Sequence, residues 1–262
     1  AKGASATWGL AIVMVPGFWL SLQSSLPEPI AAVLVLAGYW CFLNGWLSWA
    51  GAAFAASLLI RETGAVFVFC LAGAVWMSGR RAEAVRFTVI ALAPIALWRL
   101  YIAWILFPDM GSQALLFHPD DLGLPLGGIM ELWTRIQRGE YFTGASSLAR
   151  AGLAYPLLLV GAFALTLGVA CSAPSAVSVA AVVYAVIAIS LNYSSIWVHV
   201  GNAQRGTFET FLLLALVSIG MRAYSRAIRA ALIAFWIGAA VYIFFGSFDS
   251  EYIRDAVFQG VL

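Results

Sequence analysis

The sequence predicts an all-α fold: a polytopic bundle of about nine transmembrane helices, with one further amphipathic helix lying on the membrane surface. Three observations predict it. Apolar residues make up 63% of the 262 and charged residues 10%, with a mean hydropathy of +0.94, so the chain cannot supply the polar surface that a water-soluble domain of this size needs. The apolar residues fall in nine segments separated by charges or turn residues. The short connections that carry charge are basic, as cytoplasmic loops are. A net charge of +2 and the absence of a basic run interleaved with aromatics exclude nucleic acid as a partner. Cys41, Cys70 and Cys171 lie singly in apolar runs with no CxxC spacing, and read as small buried hydrophobes rather than a disulfide framework or zinc site.

The nine segments are Ala6–Leu22, Ile30–Leu43, Leu47–Ile60, Gly64–Met77, Phe87–Phe107, Ala151–Cys171, Ala176–Leu191, Phe208–Met221 and Ala230–Phe245. The third and fourth could run on as one helix through Arg61-Glu62-Thr63. That helix would be about 46 Å long at 1.5 Å per residue, against a hydrocarbon core of about 30 Å, so a break at the triplet is expected. Each half is then only about 20 Å long. The triplet is therefore expected in a protein-lined recess below the headgroups, where polar groups are tolerated.

Ser78–Arg86 carries three arginines and one acid, and Arg222–Arg229 carries three arginines and none. Both are expected in the cytoplasm, and they lie an even number of spans apart, as a common side requires. Threading the helices between them places 108–150, Asn192–Thr207, the triplet break and the Gln23–Pro29 turn outside. On this map 11 of the 12 acids lie on the outer side. The chain reads as one transmembrane domain, 1–262, with a long extracytoplasmic loop at 108–150. Within that loop Ile129, Met130, Leu132, Trp133 and Ile136 fall on one arc and Glu131, Thr134, Arg135 and Arg138 on the other, the pattern of an interfacial helix. A second such helix is expected beyond Phe245. No internal repeat of the kind common in transporters is present.

The candidate site residues share the outer side. Glu28 stands at the mouth of the second span beside Pro29, where a carboxylate is favoured by the helix dipole. Capping and a functional role are both open to it. Arg61 and Glu62 are neighbours that cannot face each other on a helix and should reach different partners. An arginine at this depth suits either a structural ion pair or bidentate phosphate binding. His199, Asn202, Gln204, Arg205 and Glu209 gather where the outer loop enters the eighth span. Arg205 there would oppose the helix dipole and needs an anion, either Glu209 four residues on or a ligand. His199 suits a hydrogen-bonded loop role at least as well as a ligand contact. Arg99, in the outer half of the fifth span, is explained by snorkelling to the interface, with a lipid-phosphate contact as the sharper alternative. His118-Pro119-Asp120-Asp121 has metal-ligand residue types but no second cluster to complete a site. No GxSxG, Walker A, GxGxxG or HExxH pattern occurs.

Pro16-Gly17 followed by Ser21-Leu22, Leu26-Pro27-Glu28-Pro29, an apolar helix and Leu58-Leu59-Ile60-Arg61-Glu62-Thr63 resembles bacterial membrane glycosyltransferases of the GT-C fold. More narrowly, the pattern is similar to multi-pass proteins of cell-surface glycopolymer formation, distant relatives of the polyprenyl-phosphate-sugar-dependent protein mannosyltransferases. Leu97–Tyr101, Gly123–Gly128 and Asn202–Glu209 extend the resemblance over most of the chain. It implies a GT-C-like bundle in the bacterial cytoplasmic (inner) membrane, with its site on the periplasmic side. The implied partners are a polyprenyl-phosphate sugar and a glycan or lipid acceptor. In the family an acid in the first external loop acts as general base or helps hold a metal, so the only cofactor the resemblance admits is a divalent metal. This chain has no such loop before Ala6 and no Asp before Asp109. The resemblance thus places the catalytic loop in an N-terminal portion preceding this sequence and assigns no catalytic acid or base within it. Glu28, Arg61, Glu62, His199 and Arg205 carry over as substrate-binding residues. Arg61 and Arg205 suit the departing lipid phosphate, where charge develops. A lipid or sugar transporter or flippase, and a non-catalytic subunit of a glycan assembly complex, are the alternatives. The asymmetry of the two faces suits a one-sided site better than a path open to both.

Overall fold

The computed structural model describes residues 6–106, 122–138, 146–192, 197, 200–220 and 224–246. The described residues are helical, with no strand beyond an isolated bridge between Leu122 and Leu191. The helices are α1 (Phe18–Gln23), α2 (Glu28–Leu43), α3 (Leu47–Ile60), α4 (Ala65–Met77), α5 (Arg81–Tyr101), α6 (Gly127–Gln137), α7 (Ser146–Ser172), α8 (Ala176–Ile189), α9 (Val200–Gly206), α10 (Phe208–Ile219) and α11 (Arg226–Val241).

Three described helices are long and apolar enough to cross a membrane: Arg81–Leu106, Ala154–Ser172 and Arg226–Phe245. Five more apolar helices, Glu28–Leu43, Leu47–Ile60, Glu62–Met77, Ala176–Ile189 and Phe208–Ile219, are shorter. At 1.5 Å per residue a helix of 14 residues such as α3 covers about 21 Å, less than the roughly 30 Å core. By length alone, then, three of the nine expected spans qualify. The first expected span, Ala6–Leu22, is not a continuous helix. A 3-10 segment, Ala6–Met14, is followed by a turn and the short α1. Pro16 lacks the N–H that a helix needs, and Gly17 takes a left-handed φ of 84°. Side chains that a soluble domain would cover lie open over much of the surface, Met77 at 83%, Leu157 at 74% and Phe245 at 84% exposure among them. That suits a lipid solvent.

The chain divides into two compact units, Pro27–Pro119 and Ala1–Leu26 with Asp120–Leu262. In the first, α2 and α3 run antiparallel, because Ala31 of α2 accepts a hydrogen bond from the Ser57 hydroxyl near the far end of α3 at 3.1 Å. Small residues let the helices close up. A Cβ on Gly38 would stand 3.1 Å from the Phe54 ring, and one on Gly51 would stand 2.8 Å from Ile90 of α5. Phe54 is the hub of the core, edge-on to Phe67 of α4 at 5.7 Å and to Phe87 of α5 at 6.0 Å.

In the second unit α10 is the central helix, buried from Phe208 to Ser218 apart from Glu209. A helix apolar all round and wrapped by neighbours reads this way. Polar tips inside the unit are paired across helices. Tyr155 of α7 bonds Thr207, Trp236 of α11 donates to Ser218 at 2.9 Å, and Gln204 donates to Tyr242 at 3.0 Å. The loop motif Gly123–Gly128 lies on the end of α8, with Gly123 N donating to Ser190 O at 2.8 Å. A Cβ on Gly128 would fall 2.3 Å from Trp197 Nε1 and 2.5 Å from Leu191 O, so only glycine fits there.

The helix expected at Ile129–Arg138 forms as α6, but its apolar arc is divided. Leu132 is buried, while Met130 and Trp133 stand 69% and 53% exposed. The helix expected beyond Phe245 and the His118–Asp121 run lie outside the described residues.

Candidate functional site

The chain breaks after Ile60, as the length argument requires. Arg61 is extended at φ −151° and ψ 103°, Glu62–Gly64 make one 3-10 turn, and α4 begins at Ala65. The extended residue swings Arg61 away from the α3 axis toward the start of α2. There Nη1 donates to Glu28 Oε1 at 2.9 Å, while Nε donates to Thr63 Oγ1 at 3.3 Å. Glu28 occupies the first residue of α2, between Pro27 and Pro29, so it also sits where the helix dipole favours a carboxylate. Its side chain is fully buried and that of Arg61 is 17% exposed. Glu28 thus keeps the helix-terminus position expected of it, without a capping hydrogen bond, and its carboxylate pairs with Arg61. Removing either partner would strand a charge in a low-dielectric site.

Glu62 faces elsewhere, as neighbours on a helical turn must, and pairs with Arg99 of α5. Snorkelling does not describe Arg99. Steps of four from Phe87 through Ala91 and Ile95 reach Arg99, and both Phe87 and Ala91 are wholly buried. Arg99 therefore continues the inward stripe of α5 and one of its terminal nitrogens meets a carboxylate, while the side chain stays partly exposed. The Glu62–Arg99 pair is the more open of the two, with side chains 33% and 38% exposed.

Glu28, Arg61, Glu62 and Arg99 thus come together at one end of the four-helix unit. At the other end the charges lie on the surface. Arg80 grips Glu83 with Nε 2.8 Å from Oε1, both side chains 49% exposed, and Arg81 lies over the Trp76 ring at 5.5 Å. The hydrogen bond to Glu83 and that carboxylate's charge raise the Arg80 pKa above its ordinary value.

Arg205 belongs to the second unit and corrects its expected setting. It lies in the last turn of the separate short helix α9, not at the N-terminus of α10. The chain turns at Thr207 between them, so Arg205 complements a helix dipole instead of opposing it, and the argument that it needs an anionic ligand on that ground falls. His199 lies outside the described residues. Gln204, in the same cluster, is wholly buried against Gly17, whose Cβ would stand 3.0 Å from the Gln204 Cβ. Among the described residues no group of three or more His, Cys, Asp or Glu side chains comes together to hold a metal.

The residues sequence reasoning missed are Arg99 as an ion-pair partner and Tyr155, Thr207 and Ser218 as cross-helix polar contacts. The four-residue steps of α5 carried the signal for Arg99. No pattern in the sequence singles out the other three. Comparison with protein-family models, with curated proteins and with solved structures finds no match to this chain.

Proposed function

We propose that this chain is a membrane glycosyltransferase of GT-C type, spanning the bilayer about nine times and transferring a sugar from a polyprenyl-phosphate donor at the extracytoplasmic face. The acceptor is a cell-surface glycan or lipid, and the membrane is the bacterial inner membrane. The observation that carries the proposal is the one-sided placement of membrane-depth charge. In the four-helix unit Glu28, Arg61, Glu62 and Arg99 all lie at one end, and no charged residue falls in the middle of α2, α3, α4 or α5. A transport path needs polar groups through the thickness of the bundle, whereas a site worked from one face needs them at one end.

In the reaction the acceptor hydroxyl oxygen bonds to the anomeric carbon, the bond from that carbon to the donor phosphate breaks, and polyprenyl phosphate leaves with the electron pair. The acceptor's proton is lost to a general base, a role the resemblance gives to an acid of the family's first external loop and to none of the residues above. Glu28 and Arg61 hold the wall of the donor pocket, and Glu62 lines its open side. Arg205 and His199 remain candidate substrate contacts through the resemblance alone. Exposed Met130 and Trp133 of α6 anchor that helix at the outer surface.

Deleting the gene in its own host tests the reading. The expected result is loss of a surface glycan with accumulation of a polyprenyl-phosphate sugar, both reversed by the intact gene. Unchanged surface glycan with no lipid-linked sugar accumulating would overturn it.

A further inference from the structure

The two arginines at the charged end of the four-helix unit are not equivalent. Arg61 spends Nη1 on Glu28 and Nε on Thr63. Arg99 has one described contact, from Nη2 to Glu62 Oε2, which leaves Nε and Nη1 without a protein acceptor among the described residues. A guanidinium has five N–H donors, and donors without partners are costly wherever water is scarce. Arg99 is 38% exposed in the last turn of α5, within the stretch Arg81–Leu106 that is long and apolar enough to cross a membrane. Around it Leu97 and Leu100 of α5 are 66% and 40% exposed, and Trp104, just past the end of α5, is 68% exposed.

The same turn shows what lies beside it. Trp98 and Tyr101 are each nearly half exposed and stack at 5.7 Å and 20°, with Trp104 one turn further on. Three exposed aromatics in two turns at a helix end form the girdle that marks headgroup level, where lipid phosphates lie. A phosphate oxygen accepts from an arginine fork in the geometry that Nε and Nη1 offer.

We propose that Arg99 binds the phosphate of a membrane phospholipid, with Trp98 and Tyr101 against the lipid's glycerol and upper chains. Glu62 competes with the phosphate for the guanidinium and sets the affinity. The site shares Glu62 with the proposed donor pocket, but lipid retention is read without sugar transfer, so the two readings can fail separately.

The test uses the full chain purified in detergent, with native mass spectrometry reading retained lipid. Dioleoylphosphatidylglycerol is the probe, dioleoylglycerol the control without phosphate, and inorganic phosphate the competitor. Wild type should retain one phosphatidylglycerol and no dioleoylglycerol. Arg99→Gln should weaken retention about tenfold or more, since hydrogen bonds to charged groups are being lost, and Arg99→Lys should restore little of it. Glu62→Gln should retain phosphatidylglycerol more tightly than wild type, a gain that a merely misfolded variant cannot produce. Equal retention by wild type and Arg99→Gln, or weaker retention by Glu62→Gln, would overturn the proposal. So would full displacement of the lipid by millimolar inorganic phosphate, which would mark a site for the free ion.

Discussion

The two ends of the four-helix unit put arginine to different uses. At the end where α2 and α4 begin, Glu28 is fully buried on Arg61, and Glu62 and Arg99 are each about one-third exposed. At the end where α5 begins, Arg80 and Glu83 are each half exposed, and Arg81 lies over an interfacial tryptophan. The first set fixes where α2 meets the α3–α4 break, because a buried carboxylate holds an extended arginine in place. The second set lies on the surface, where an ion pair contributes little to stability. The same residue types near helix ends thus differ in consequence, and depth of burial decides which role each takes.

The largest expected effect comes from breaking the deepest pair. Arg61→Met should destabilise the protein by about 3–5 kcal/mol, because it leaves the Glu28 carboxylate buried alone. Thermal unfolding in detergent reads the loss. Adding Glu28→Gln to Arg61→Met should recover most of it, since the stranded charge is then gone. If the single variant melts like wild type, the buried end is no more structural than the exposed one. A smaller effect is expected for Glu62→Gln, about 1 kcal/mol or less, because its pair is open to screening. At the opposite end Glu83→Gln should leave the melting curve unchanged. A ranking in which Glu83→Gln costs more than Arg61→Met would reverse the comparison.

Much of this contrast was legible in the sequence. The apolar segments from 30 onward coincide with observed helices to within a few residues, except that α5, α7 and α11 begin four to six residues earlier. The break at Arg61 followed from length alone, and the separate partners of Arg61 and Glu62 from their adjacency in the chain. What escaped was set by tertiary placement or by local chain geometry. Arg99 was assigned outward because its charge was weighed before its register with Phe87 and Ala91. Arg205 belongs before the break, not at the head of α10, and the signal for it was Gly206, a residue that commonly ends helices, which closes α9 just before Thr207. The first segment was read through Pro16-Gly17 as though apolar character could override a missing N–H. The fit of Gly123 and Gly128 to the end of α8 depends on Asn192 and Trp197, more than 60 residues away. No local pattern could have shown it.

The central claim is that the buried-charge end faces out of the cell and the basic end faces in. With Cys41, Cys70 and Cys171 replaced, single cysteines at Pro27→Cys and Ser78→Cys place one exposed thiol at each end. A membrane-impermeant thiol reagent applied to intact cells should label the Pro27→Cys protein and leave the Ser78→Cys protein untouched until the membranes are inverted. Labelling of both from the same side, or of Ser78→Cys alone in intact cells, would contradict the account.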